Sequence, residues 1–235
     1  MLPKSQLKQI AQLGQKKFRD QTGLFVVEGI KSVQDFLDQG WAHEGLFATT
    51  AYARLPATIV SQDNMRRMTQ FKTASPVLAV FKKPKASAPP LDRTVLVLDG
   101  IRDPGNLGTI IRQASWFGIA HVVCSPDSTD CYNPKVIQAS MGAMARVQLH
   151  YVPIDSFLKQ YSYPVIGLDL EGASIYDTPI QEPLAIVFGS ESHGISDSVV
   201  AMLDQKITIP PKQANAVESL NVASAAAITL ALLLR

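Results

Sequence analysis

Cysteine is scarce: Cys124 and Cys131 are the two thiols of a 235-residue chain. Two cysteines cannot make the framework of a disulfide-stapled domain, and Met1–Ile10 is polar and basic rather than the apolar core of a secretory signal. Reduced thiols in a cytoplasmic protein are the expectation. Histidine is also sparse, and His43, His121, His150 and His193 show no metal-ligand spacing, so no metal site is expected. The most apolar run, "VASAAAITLALLLR", would be roughly 21 Å long as a helix, short of the ~30 Å core of a bilayer. It reads as a buried or dimer-facing helix, with no membrane expected. Neither a G-x-G-x-x-G fingerprint nor a G-K-[ST] phosphate loop is present. The absence of a Cys/His couple or a Ser/His/Asp order argues against hydrolytic or redox chemistry. Transfer from an already activated donor asks less of a protein, namely positioning and local electrostatics.

What is present can bury a core, since 46% of the residues are apolar and 18% charged. The net charge is only +2, but it is unevenly spread. Residues 1–90 hold 13 Lys/Arg against 6 Asp/Glu, a balance of +7, whereas residues 91–235 hold 9 against 14, or −5. A basic module joined to a mildly acidic one suggests that one part holds a polyanion. Ordinary solvated lysines are the alternative.

The stretch "KKPKASAPP" has no hydrophobic period and reads as an interdomain linker. It sets the expected division: residues 1–82, a linker over 83–93, and residues 94–235. Before it, a helix near 4–13, a basic connection "GQKKFRDQTG", and strands alternating with short helices indicate a small α/β domain. After it the alternation is stronger. "TVLVLDG", "AHVVCS", "LHYV", "YPVIGLDL", "LAIVFGS" and "KITIP" read as strands, and "LGTIIRQASWFG", "NPKVIQASMGAMARV", "SDSVVAMLD" and the C-terminal run as helices. Strands this apolar are buried on both faces, which predicts an α/β fold with a mostly parallel sheet. Ligands then bind beyond the carboxyl ends of the strands.

Three of those ends are chemically unusual. "DGIRDPGN" reads as a turn before a helix, or as an anion grip with Arg112. A cation near the positive end of a helix is mildly disfavoured, which points to a role for Arg112. "FGSESHG" holds Glu191 between Gly189 and Gly194, where glycines permit close backbone approach. Glu191 either starts a helix or organises the site, and His193 is either a general base or a solvated loop residue. "IPPKQANAVESLN" ends in Ser219 and Asn221, typical capping residues.

Together, "NLGTIIR" (Asn106 to Arg112), "GSESHG" (Gly189 to Gly194) and "IPPKQANAVESLNVASAA" resemble the three signature motifs of the SpoU (TrmH-like) branch of the SPOUT methyltransferases. The resemblance covers residues 94–235, with the motifs in the family's order. Upstream, "GLFVVEGIKSVQDFL" and "SPVLAVFKKP" are similar to the small substrate-binding domain that precedes the catalytic domain in many members and resembles a ribosomal RNA-binding protein fold. The loop between Pro210 and Ser219 departs from the family pattern in lacking glycine.

The resemblance implies an α/β-knot catalytic domain with a C-terminal trefoil, a homodimer, and S-adenosyl-L-methionine as methyl donor. It implies transfer to a ribose 2′-hydroxyl of RNA, ribosomal more than transfer RNA. Carried over by motif, Gly189, Ile209 and Leu220 contact the donor. Arg112 is the central catalytic residue, with Asn106 and Ser219 holding the guanidinium and ribose and Asn221 and Glu191 bracing the loops. Because arginine keeps its proton at any ordinary pH, a fixed cation beside the nucleophile is the physical form of that role. Lys16, Lys17, Arg19, Lys82, Lys83 and Lys85 are the candidates for RNA capture. Alternatives are an inactive RNA-binding relative, or an α/β enzyme for a small anionic substrate clamped by Arg112.

Overall fold

The computed structural model describes residues 2–213 and 219–234. In the N-terminal part, the chain runs α1 (Lys4–Gln12), α2 (Lys16–Thr22), β1 (Leu24–Glu28), α3 (Ile30–Asp38), β2 (His43–Ala48), β3 (Thr58–Ile59), α4 (Gln62–Met68) and β4 (Val77–Lys82). The rest follows as β5 (Val95–Leu98), α5 (Pro104–Trp116), β6 (His121–Cys124), α6 (Pro134–Ser140), β7 (Gln148–Tyr151), α7 (Ile154–Leu158), β8 (Val165–Ser174), β9 (Ala185–Phe188), α8 (Asp197–Val200), β10 (Gln205–Thr208) and α9 (Val222–Leu233).

Two sheets form. The first has the order β1-β4-β2-β3, with antiparallel pairs around β4 and a short parallel pair between β2 and β3. The second has the order β10-β8-β9-β5-β6-β7, and every pair in it is parallel. Every residue of β5 and β9 is buried, as central parallel strands require. Because all six strands point the same way, the loops leaving β5, β9 and β10 emerge on one edge. The trefoil implied by the resemblance depends on the path from Gln213 to Ser219, and residues 214–218 lie outside the described ones.

Several local expectations are corrected. The basic connection contains a helix, α2, which ends at Gly23 in the left-handed region. Its polar surface gives no hydrophobic period to read. The helix expected over "NPKVIQASMGAMARV" stops at Ser140, because Met141 and Gly142 take positive φ values of 51° and 88°. A short 3-10 turn, Ala143–Ala145, follows. Helix α5 starts at Pro104, not after it: Asp103 caps it by accepting from the Asn106 backbone N–H at 2.8 Å, and Pro104 fits the first turn. Gly108 therefore lies inside the helix. A Cβ there would meet Ala139 Cβ at 2.5 Å and the Val136 carbonyl at 2.6 Å, so glycine lets α5 and α6 touch.

The two sheets share one core. Phe25 and Phe81 of the first sheet and Phe36 of α3 belong to the same buried cluster as Leu107 of α5 and Val136 and Ile137 of α6, which flank the second. Phe25 packs on Tyr132 at 4.7 Å between ring centres, and Trp41 Nε1 donates to the Ala145 carbonyl at 3.0 Å. At this seam Arg19 is only 2% exposed. Its guanidinium donates to Asp130 at 2.7 and 3.1 Å and to the carbonyls of Leu13 and Gly14, both at 2.9 Å. Arg19 is thus an internal anchor and not an RNA contact. Lys82 pairs with Glu44, while Lys16 and Lys83 both pair with Asp20 and hold its carboxyl down to about 2. Lys17 and Lys85 remain exposed and without ion pairs among the described residues. Burial pushes the Cys131 thiol up to about 12 and also raises the Cys124 thiol well above its ordinary value, which leaves both unreactive.

The linker is latched as well. His150 Nδ1 lies 3.0 Å from the Ser87 carbonyl, and His150 Nε2 lies 3.2 Å from His121 Nδ1. A carbonyl only accepts, so Nδ1 of His150 carries the proton, Nε2 accepts, and His121 donates. A second proton on His121 leaves this donor in place but sets a cation against the His150 ring.

Two predictions follow from these contacts. Replacing Arg19 with alanine strands the Asp130 carboxylate and should cost roughly 3–5 kcal/mol of stability in urea melts, as for other broken buried ion pairs. Burial, and then the His150 ring, hold the His121 imidazole below its ordinary 6.5. The folded state thus binds the proton less readily than the unfolded chain, so this stabilisation is complete above about pH 6.5 and is lost as pH falls. Melting temperatures between about pH 7.5 and about pH 5 should drop less steeply in His121→Gln than in the parent chain; parallel curves would refute the latch.

Candidate active site

The three motif-bearing loops meet at the carboxyl edge of the parallel sheet. Asn106 sits in the first turn of α5, Glu191 in the loop after β9, and Asn221 just before α9. Glu191 Oε1 accepts from Asn106 Nδ2 at 2.6 Å and from Asn221 Nδ2 at 2.9 Å. Asn221 Nδ2 also reaches Asn106 Oδ1 at 3.0 Å. With its own Oδ1, Asn221 caps α9 by accepting from the N–H groups of Ala223 and Ser224 at 3.0 and 3.2 Å. Capping and cross-linking are thus one side chain's work, through opposite ends of its amide.

Further braces hold the loops. Ser190 and Gly194 exchange backbone hydrogen bonds of 2.9 and 2.8 Å, closing the turn after β9. A Cβ on Gly189 would run into the backbone of Gly194 and Ile195, so glycine is demanded there by the turn folding back on itself. Asp99 Oδ2 accepts from the Ser196 N–H at 2.8 Å and ties the β5 loop to the β9 loop. From the other side, Ser125 Oγ accepts from the Gly100 N–H at 2.9 Å and donates to Asp127 at 2.7 Å, while Ser128 Oγ accepts from the Ile101 N–H at 3.2 Å. Asp127 also pairs with Arg102 at 2.9 Å, and the Ser125 and Arg102 bonds lower its carboxyl pKa. Motif reading missed Asp99, Ser125, Asp127 and Ser128; the aspartate directly after a strand in "LVLDG" is the one local signal.

Not every expected residue joins the network. Arg112 is exposed and makes no ion pair or side-chain hydrogen bond among the described residues. It is the ninth residue of α5, beyond the first turn, so the dipole conflict expected for it is absent. Six positions from Asn106, it points roughly 120° away around the helix and lies about 9 Å along it. The structure therefore does not place the guanidinium on Asn106. Ser219 is exposed at the loop end, and no hydrogen bond engages it among the described residues. His193 is exposed and bonds its neighbour, Ser192 Oγ to Nδ1, at 2.7 Å, outside the network.

A cavity of about 120 Å³ lies between the β5 and β9 loops, lined by Gly100, Arg102, Ser190 and Glu191 with Val222 beneath. It is smaller than the ~300–1,000 Å³ of whole-ligand sites. Gly189, Ile209 and Leu220 stand on the same edge, at the ends of β9 and β10 and before α9, and the Leu220 side chain is 45% exposed. Main-chain polar groups beside an open apolar side chain suit a purine edge and face, so these residues fit the expected donor. Among the described residues no three His, Cys, Asp or Glu side chains cluster as a metal site, and no helix is long and apolar enough to cross a membrane.

The double duty of Asn221 is separable. Asn221→Ala should cost about 1 kcal/mol in thermal or urea melts through the lost cap. Asn221→Asp keeps the cap but sets a carboxylate against Glu191, so it should retain most stability while activity falls. Full activity in the aspartate variant would show that the cross-link is dispensable.

Comparison with known proteins agrees with this geometry. The SpoU rRNA Methylase family model matches residues 93–231, and a model of an MRM3-like substrate binding domain matches residues 4–80. An uncharacterised tRNA/rRNA methyltransferase of Synechocystis is 30% identical over 95% of this chain and 88% of its own length. A 23S rRNA (guanosine(2553)-2′-O)-methyltransferase of Bacillus subtilis is 30% identical over 91% and 89%. Among solved structures, a TrmH-family chain from Porphyromonas gingivalis superposes with a TM-score of 0.88 at 36% identity, over 99% of this chain and 98% of that one. An AdoMet-bound rRNA methyltransferase from Sinorhizobium meliloti gives 0.86 at 26% identity, over 99% and 95%. The chain belongs to the SpoU rRNA methylase family.

Proposed function

We propose that this chain transfers a methyl group from S-adenosyl-L-methionine to a ribose 2′-hydroxyl of ribosomal RNA, working as a homodimer in the cytoplasm. The observation that carries the reading is the Asn106–Glu191–Asn221 cross-link at the carboxyl edge of the parallel sheet. It builds a wall where residues of all three family-like motifs converge. The 23S rRNA activity named for the Bacillus relative supports ribosomal RNA over transfer RNA.

The sulfonium donor supplies an already electrophilic methyl, so the protein's task is alignment and charge control. Gly189, Ile209 and Leu220 hold the donor through main-chain groups and one apolar face. Glu191, tied to two asparagines through Oε1, keeps the loops in register. The Arg112 guanidinium, without an internal partner among the described residues, is available to a phosphate or to a developing alkoxide. Ser219 sits at the same rim and orients the ribose. Arg112 and Trp116 are four positions apart on one face of α5, and Trp116 is 84% exposed. A bare tryptophan beside a free arginine supports a second copy of the chain covering this face. Residues 1–82 hold the RNA, 83–93 join the parts and 94–235 carry the chemistry, with Lys17 and Lys85 as free phosphate contacts.

Transfer of labelled methyl from donor to ribosomal RNA tests the assignment. Arg112→Ala should lower the rate roughly a hundredfold or more, the scale of losing one fixed charge-stabilising donor. Its donor affinity by calorimetry and its melting temperature should match the parent. An active Arg112→Ala enzyme would remove Arg112 from the mechanism.

A further inference from the structure

A cavity of about 460 Å³ opens to solvent in the N-terminal domain, between α3 and the segment joining β2 to β3. Its size is within the ~300–1,000 Å³ of small-ligand sites. Its walls are mainly apolar: Ile30 is 42% exposed, Leu55 is buried, and Tyr52 is half-buried and packs against the core. The Tyr52 hydroxyl has no hydrogen-bond partner among the described residues. A backbone bond from the Leu55 N–H to the Tyr52 carbonyl, 3.1 Å, closes the segment into a tight turn and fixes where the ring sits.

The charge at the rim is one-sided. Lys31 and Arg54 are exposed, and neither makes an ion pair or side-chain hydrogen bond among the described residues. The one carboxylate in the lining, Asp35, is already neutralised by Arg146 at 2.8 Å. The cap position of α3, Gly29, offers no side chain to the first N–H groups of the helix, and Ile30 and Lys31 of that first turn line the cavity. An aromatic ring, apolar walls and two unspent cations are the chemistry that recognises one splayed-out nucleotide: the base stacks and its phosphate meets the cations. A base inside a duplex is stacked on its neighbours and cannot enter such a concavity.

We infer that this groove binds an unpaired nucleotide of the substrate RNA, its base against Tyr52 and Ile30 and its phosphate between Lys31 and Arg54. The inference rests on RNA being the substrate. Fluorescence anisotropy of the full chain with a short single-stranded RNA of mixed sequence, and with a blunt duplex of the same length, tests it. Tyr52→Ala and Tyr52→Leu should each weaken single-strand binding about tenfold, within the range for losing one stacked base. Tyr52→Phe should bind like the parent, and none of the three should change duplex binding or donor affinity. Arg54→Ala should lower the salt slope by about one released ion. Tyr52→Leu, which keeps the apolar volume, separates stacking from folding. Unchanged single-strand binding in the Tyr52→Leu variant, or an equal loss on duplex, overturns the groove while leaving the function standing. A parent chain that binds donor but neither RNA overturns both.

Discussion

One carboxylate oxygen sets the geometry of the catalytic edge. Oε1 of Glu191 accepts from two asparagines, one on the helix after β5 and one on the cap of α9. Bonds to an ionised acceptor are stronger than those between neutral groups, and a shared acceptor makes them interdependent. The parallel sheet brings the three loops to one side, but it does not fix their relative heights; this cross-link does. Arg112 stands outside it and makes no ion pair or side-chain hydrogen bond among the described residues. The site thus divides into a locked wall of amides and a carboxylate, and an unlocked cation.

How far the sequence could be read follows from the range of each interaction. Apolar runs such as "TVLVLDG" announce strands buried on both faces because burial acts on every residue of the strand. Asp103–Pro104 and Asn221 are local caps and could be recognised as such, although Pro104 and Gly105 first read as loop. Helix α2 could not be seen, since its seven residues offer no apolar stripe. Arg19 misled for a related reason. It stands in a run of lysines that looks solvated, while the partner that buries it, Asp130, is 111 residues away. Gly108 stands at the start of the expected helix, but the need for glycine there is carried by Ala139 and Val136 rather than by its neighbours in sequence. Within the site, the family motifs marked Asn106, Glu191 and Asn221, but no spacing tells that two of them share a single oxygen or that Arg112 stands apart.

The connection between β6 and α6 ties the molecule together in a way neither half does alone. Ser125 and Ser128 support the loop that leads into α5. A few residues on, Asp130 grips Arg19, and Tyr132 packs on Phe25 and beneath the Lys83 ammonium, 5.1 Å from the ring centre. Cys131 and Thr129 are pinned to the Tyr151 hydroxyl, at 2.8 and 2.6 Å.

Through that short strap, the module that matches a substrate-binding domain is bolted to the floor of the candidate site rather than hung from a tether. The protein then behaves as a caliper with a locked jaw. A ribose is reached only if the RNA's own folding presents it at the span the jaw dictates, so selection among thousands of chemically identical sugars passes from the enzyme's mobility to the shape of its substrate.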